Sequence, residues 1–205
     1  INQGSTLTGV TTQPEYDYSG LGETWSAPRI FRLPNDGAGD TNIDDNIYVA
    51  VMGGGFGAYA ENVGSNLFVI NLEDTTNPGK VEKVVPIEDK LGNDITNSIP
   101  STPVVITADS SFGVSYAGAF VYLNDLEGKV SKVNLTNMDT KRDGTALNLY
   151  DKTILLDAQA TPSNGRYMFH AMDSGIGTTS RNVWLFTGTG DYERIGSTSS
   201  SMENL

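Results

Sequence analysis

The chain has 205 residues, a formal net charge of −12 and a sequence pI near 4.3, with 13 Lys and Arg scattered among 25 Asp and Glu. That balance provides no basic face for a nucleic-acid backbone or an anionic membrane, and the absence of Cys excludes disulfides, thiolate metal sites and C-x-x-C-H haem attachment. No run of about 18 apolar residues is present to cross a bilayer as a helix, while the 38% hydrophobic content is that of an ordinary folded domain.

In chain order, the first element is Arg29-Ile30-Phe31-Arg32-Leu33, introduced by Ser26-Ala27-Pro28. Residues 35–46 follow as a Gly-containing loop with four carboxylates and three amides. Val49-Ala50-Val51-Met52 runs into Gly53-Gly54-Gly55-Phe56, and Leu67-Phe68-Val69-Ile70-Asn71-Leu72 comes next. The pattern then recurs. Ser101-Thr102-Pro103 introduces Val104-Val105-Ile106, Val121-Tyr122-Leu123 follows, and Val130-Ser131-Lys132-Val133-Asn134-Leu135 matches the earlier run ending in Asn-Leu. Residues 137–150 suit one short helical turn. Ala160-Thr161-Pro162 stands ahead of a strand-like stretch at 166–172, and Trp184-Leu185-Phe186 runs into Gly188-Thr189-Gly190.

These runs are β-branched and aromatic, four to eight residues long, and bounded by Gly, Asn, Asp or Pro, which predicts strands. Pro ahead of a strand costs no ladder hydrogen bond. The Ser/Thr-Pro landmarks recur about every 60–75 residues, too far apart for a hairpin and suited to a loop-rich four-stranded unit. The prediction is therefore all-β: about ten strands in a β-propeller of four-stranded antiparallel blades, with blades at roughly 20–97, 98–157 and 158–195 and a polar tail at 196–205. A propeller closes with at least four blades, so the chain is expected to be part of a longer one.

Catalytic chemistry finds few residues to carry it. His170 is the only histidine, with no His or Cys partner for zinc, and no Gly-x-Ser-x-Gly elbow surrounds any Ser. His170 is expected to be a packed or hydrogen-bonded residue and the protein not to be an enzyme. The Gly53–Gly57 stretch lacks the following helix and Lys of a phosphate loop, so its glycines are expected to provide positive φ at a strand end. Trp25 and Trp184 are expected to pack between blades. The loop at 35–46 has the oxygen ligands a calcium ion wants, but not the D-x-[DN]-x-[DN]-G spacing. A solvated acidic turn is the competing reading; if the chain holds Ca²⁺, Asp36, Asp40, Asn42 and Asp44 are the expected donors.

Taken in order over residues 20–192, Gly22-Glu23-Thr24-Trp25-Ser26-Ala27-Pro28, the runs at 49–56 and 67–72, Ser101-Thr102-Pro103-Val104-Val105, the stretch at 121–130 and Gly188-Thr189-Gly190 resemble the C-terminal propeller of the PilY/PilC family. These are type IV pilus tip-associated adhesins and assembly factors. The resemblance implies a bacterial, extracellular protein at the pilus tip, acting in adhesion and in pilus biogenesis or retraction without catalysis. Its implied partners are minor pilins or a host or surface receptor, together with the remaining blades. The family places an Asp-rich calcium loop between the Pro-Val-Val and Val-Tyr strands. The corresponding stretch here, 107–115, has only Asp109, so that loop is expected to be empty. Two other readings are a quinoprotein-dehydrogenase-like propeller enzyme and a structural filament-associated extracellular protein.

Overall fold

The computed structural model describes residues 16–34, 45–57, 63–87, 97–107, 118–138, 143–179 and 182–191. They form ten strands and no α-helix, so the all-β expectation holds. Strands β1 (Arg29–Leu33), β2 (Ile47–Gly53), β3 (Asn66–Asn71) and β4 (Val81–Pro86) make an antiparallel sheet in that order. A second sheet repeats the arrangement with β5 (Val104–Thr107), β6 (Gly118–Asn124), β7 (Lys129–Thr136) and β8 (Lys152–Asp157). A two-stranded sheet of β9 (Asp173–Ile176) and β10 (Val183–Phe186) completes the described structure.

The repeat seen in the sequence is a repeat in register. Gly53 faces Leu67 and Val49 faces Asn71; in the second sheet Asn124 faces Val130 and Phe120 faces Asn134. The two runs ending in Asn-Leu therefore occupy the same place, the third strand of each sheet. Each is preceded by a glycine in the left-handed region, Gly64 at φ 92° and Gly128 at φ 78°. Ser26-Ala27-Pro28 and Ser101-Thr102-Pro103 both end immediately before the first strand of their sheet.

The third landmark behaves differently. Ala160-Thr161-Pro162 leads into a turn closed by Asn164, whose N–H donates to the Thr161 carbonyl at 3.2 Å, and residues 166–172 form no strand. The residues that stand immediately ahead of β9 are His170, Ala171 and Met172. The Thr-Pro signal there marks a turn and not the start of a sheet. The helical turn expected at 137–150 is also absent where described: 143–150 is turn and extended chain, with Tyr150 at φ 70°.

Alternation along the strands packs the sheets in series. From the first sheet, Phe31, Leu33, Val49, Val51, Leu67, Val69 and Val85 share one core with Ala119, Val121, Leu123, Val133 and Leu135 of the second. The opposite face of the second sheet uses the alternate residues, Val104, Ile106, Phe120, Tyr122 and Val130, against Met168, Met172 and Leu185. Equivalent positions thus point the same way. Val49 and Val51 of β2 face the second sheet, their counterparts Phe120 and Tyr122 of β6 face the third, and by register Trp184 and Phe186 of β10 continue the series. At the edge formed by the fourth strands, Lys152 Nζ donates to the Ile87 carbonyl at 2.7 Å and ties β8 to the end of β4.

Asn134 shows why an Asn recurs near the end of the third strand. It is fully buried; its Oδ1 accepts from Thr136 N at 3.1 Å and Thr136 Oγ1 at 2.6 Å, and its Nδ2 donates to the Asn148 carbonyl at 2.9 Å. Asn71 does the same work in the first sheet, its Oδ1 accepting from the N–H groups of Glu73 and Asp74 at 2.8 and 2.9 Å. Asn134→Ala strands these groups without partners and is expected to lower stability by about 2–3 kcal/mol, read from the urea midpoint at unchanged m-value.

Candidate functional site

The four expected calcium donors, Asp36, Asp40, Asn42 and Asp44, lie outside the described residues, and so does Asp109 with its loop. Next to the first group, Asp45 Oδ1 and Asn46 Oδ1 are buried without a hydrogen-bond donor among the described residues. No cluster of three or more His, Asp or Glu suited to a metal ion occurs among the described residues. His170 is exposed; its backbone carbonyl accepts from Asn124 Nδ2 at 2.8 Å.

The glycine stretch meets its expectation at Gly55, which has φ 91°. Gly53 answers a second need: a Cβ there would collide with the backbone of Ile99. Both tryptophans depart from the packing expected of them. Trp25 is 60% and Trp184 56% exposed, because no described sheet covers the sides they occupy.

Along the first strands a shallow cavity of about 210 Å³ is lined by Arg29, Val104, Val105, Met172, Asp173 and Ser174. Its geometry follows from the repeat, since Arg29, Val104 and Asp173 are the opening residues of β1, β5 and β9. It offers a guanidinium, an apolar floor and a carboxylate whose Oδ1 accepts from Ser174 N at 2.7 Å. This volume falls below the ~300–1,000 Å³ usual for small-molecule sites, and the lining holds no nucleophile paired with a base.

The same side of the stack is stitched by polar contacts. Ala27 N donates to Thr102 Oγ1 at 2.9 Å, and Gly53 N donates to Ser26 Oγ at 3.0 Å. Ser101 Oγ donates to Asn124 Oδ1 at 3.0 Å, and Asn124 Nδ2 bonds onward to the carbonyls of Met168 and His170. Thr102 therefore crosses the seam to the first landmark, while Ser26 and Ser101 each tie their landmark to the last residue of the second strand of the same sheet.

A second polar cluster escaped sequence reasoning. Asp125 and Glu127 in the four-residue turn between β6 and β7, and Lys129 at the start of β7, are all buried, together with Asn97. Asn97 Nδ2 donates to Asp125 Oδ2 at 3.1 Å and to Glu127 Oε2; Lys129 N donates to Asp125 Oδ1 at 3.0 Å, and Lys129 Nζ pairs with Glu127 Oε2 at 2.8 Å. Burial pushes the Asp125 carboxyl up to about 7, against the opposing pull of the Lys129 N–H and the Asn97 amide. The available signal was Asp-Leu-Glu-Gly-Lys between two apolar strands, which reads as an ordinary exposed turn until residues 97–101 are laid over it.

Comparisons with protein-family models, curated proteins and solved structures give no match.

Proposed function

We propose that this chain is a run of β-propeller blades from a bacterial surface protein that works by binding, in type IV pilus tip adhesion and pilus biogenesis or retraction. The observation that carries the propeller part is a threefold recurrence. Six residues ahead of each sheet's first strand, the carbonyls of Glu23, Ser98 and Tyr167 accept from the N–H groups of Phe56, Leu126 and Gly190, each just beyond that sheet's second strand. Three units that begin alike and stack face to face in series are the working parts of a propeller. The pilus part rests on the ordered motifs that resemble the PilY/PilC propeller. A binding role agrees with an acidic surface.

Disrupting the encoding gene in its host bacterium, with complementation in trans, tests the functional part. The expected result is loss of surface pili or of their retraction, with a matching fall in adherence. Normal piliation, twitching motility and adherence in the mutant would sink the proposal.

A further inference from the structure

The buried cluster beside the β6–β7 turn contains more charge than the fold requires. Lys129 opens β7, and by register its counterpart in the first sheet is Asn66, which opens β3 and donates a neutral amide N–H to the Gly20 carbonyl at 3.4 Å. The second sheet instead buries an amine, two carboxyls and a primary amide in one place, with Lys129, Glu127, Asp125 and Asn97 all shielded from solvent. Their contacts set a nucleophile beside an electrophile. Glu127 Oε2 accepts from Lys129 Nζ at 2.8 Å and also from Asn97 Nδ2, so a single oxygen touches both the amine and the amide nitrogen. Asp125 Oδ2 holds the same Nδ2 from another direction at 3.1 Å.

We propose that Lys129 and Asn97 join in an intramolecular isopeptide bond, a single self-modification in which Glu127 moves the protons. Glu127 Oε2 takes a proton from the Lys129 ammonium, the freed Nζ lone pair attacks Asn97 Cγ, and the Cγ–Nδ2 bond breaks. Nζ gives up two protons in all: one passes through Oε2 to Nδ2, which leaves as ammonia, and the other rests on Glu127 until the ammonia removes it as ammonium. One amide replaces another, so the step is redox-neutral and needs no co-reactant. Burial favours it, because a desolvated ammonium–carboxylate pair is pushed toward its neutral amine and acid, and water is kept from competing for Cγ. The Asp125 carboxyl, pushed up to about 7, stays protonated in mild acid, which limits its repulsion with Glu127. The bond ties a residue ahead of β5 to the first residue of β7 and closes a loop around β5 and β6. It rests on this cluster and not on the pilus reading.

Mass spectrometry of the folded 205-residue chain, intact and after denaturation and trypsin digestion, tests the bond. The sequence has no Lys or Arg between Lys90 and Lys129, so an unlinked chain releases residues 91–129. A linked Lys129 is no longer cut, and the product is residues 91–132, lighter by one ammonia, with fragmentation placing the deficit on a bridge from Asn97 to Lys129. That product is expected to accumulate as the folded chain is incubated. Glu127→Gln should slow its formation by about 100-fold or more, the usual contribution of a positioned acid–base group, and Lys129→Met should abolish it. Release of residues 91–129 at full mass from the unmodified sequence, however long it is incubated, overturns the proposal. Ammonia loss with cleavage after Lys129 intact overturns it as well, since the amide would then have closed on its own backbone. Linking at an unchanged rate in Glu127→Gln removes the role given to Glu127 and the mechanism with it.

Discussion

Replacing Ile99 with alanine is expected to remove about 3 kcal/mol of unfolding free energy, within the range of large-to-small substitutions in well-packed cores. Ile99 lies in no strand, yet it is fully buried in the core shared by the first two sheets. Its N–H donates to the carbonyls of Gly55 and Gly64, both at 3.1 Å, and its carbonyl accepts from Gly55 N at 2.9 Å. The backbone is thus clamped on the first sheet while the side chain fills space that neither sheet can close by itself. Relaxation into the cavity is blocked by Gly53 and Gly55, which have no side chains to advance. Urea unfolding followed by far-ultraviolet circular dichroism measures the loss. A cost below about 1 kcal/mol would mean that the sheets close the gap by sliding together, and that the seam is softer than its burial implies.

Stability is expected to fall as pH rises from about 4 to about 7, and to level off above that. Asp125 has its folded-state pKa raised from 3.8 to about 7, chiefly by burial. Below the unfolded value both states hold the proton and no penalty exists. Between the two values the unfolded chain releases its proton and the folded chain retains it, so unfolding becomes progressively easier; above the folded value both are ionised and the penalty is constant. One such group gives a slope of up to about 1.4 kcal/mol per pH unit. Charged neighbours shape the slope: Glu127 in the turn adds to the upward shift and Lys129 at the start of β7 opposes it. Asp125→Asn should abolish this component of the pH dependence, whatever it does to absolute stability through the rearranged amide contacts. Thermal unfolding of both proteins across pH 4 to 8 provides the comparison, and parallel curves would refute the assignment to Asp125.

Legibility of the chain divided along physical lines. Strands were readable because alternation and turn residues are local signals, and the register match of Leu67–Leu72 with Val130–Leu135 followed because Asn at the strand end has a local hydrogen-bonding task. Ala160-Thr161-Pro162 misled because Thr-Pro suits a turn as readily as the residues before a strand, and only the tertiary position of β9 separates the two. Trp25 and Trp184 lie in or beside strands, which suggests packing, whereas exposure depends on whether a neighbouring sheet covers the face. The buried Asp125–Glu127–Lys129 turn was illegible for a related reason: its burial comes from Asn97, about 30 residues away in sequence. The calcium donors proposed at Asp36, Asp40, Asn42 and Asp44 stand untouched by the fold, since they fall outside the described residues.

Every sheet here pairs its strands in the order in which they occur along the chain. For a polypeptide leaving the ribosome, each described strand after the first of its sheet finds its partner already waiting. Loop closures within a sheet span 4 to 15 residues, and because closure entropy grows only slowly with length the barrier to each addition stays modest. What must wait is the lid on each finished sheet: the inner face of β1–β4 stays wet until β5–β8 has been synthesised and folded across it. Translation pauses between residues 87 and 104 would lengthen that interval, and misassociation of nascent chains should rise most steeply there.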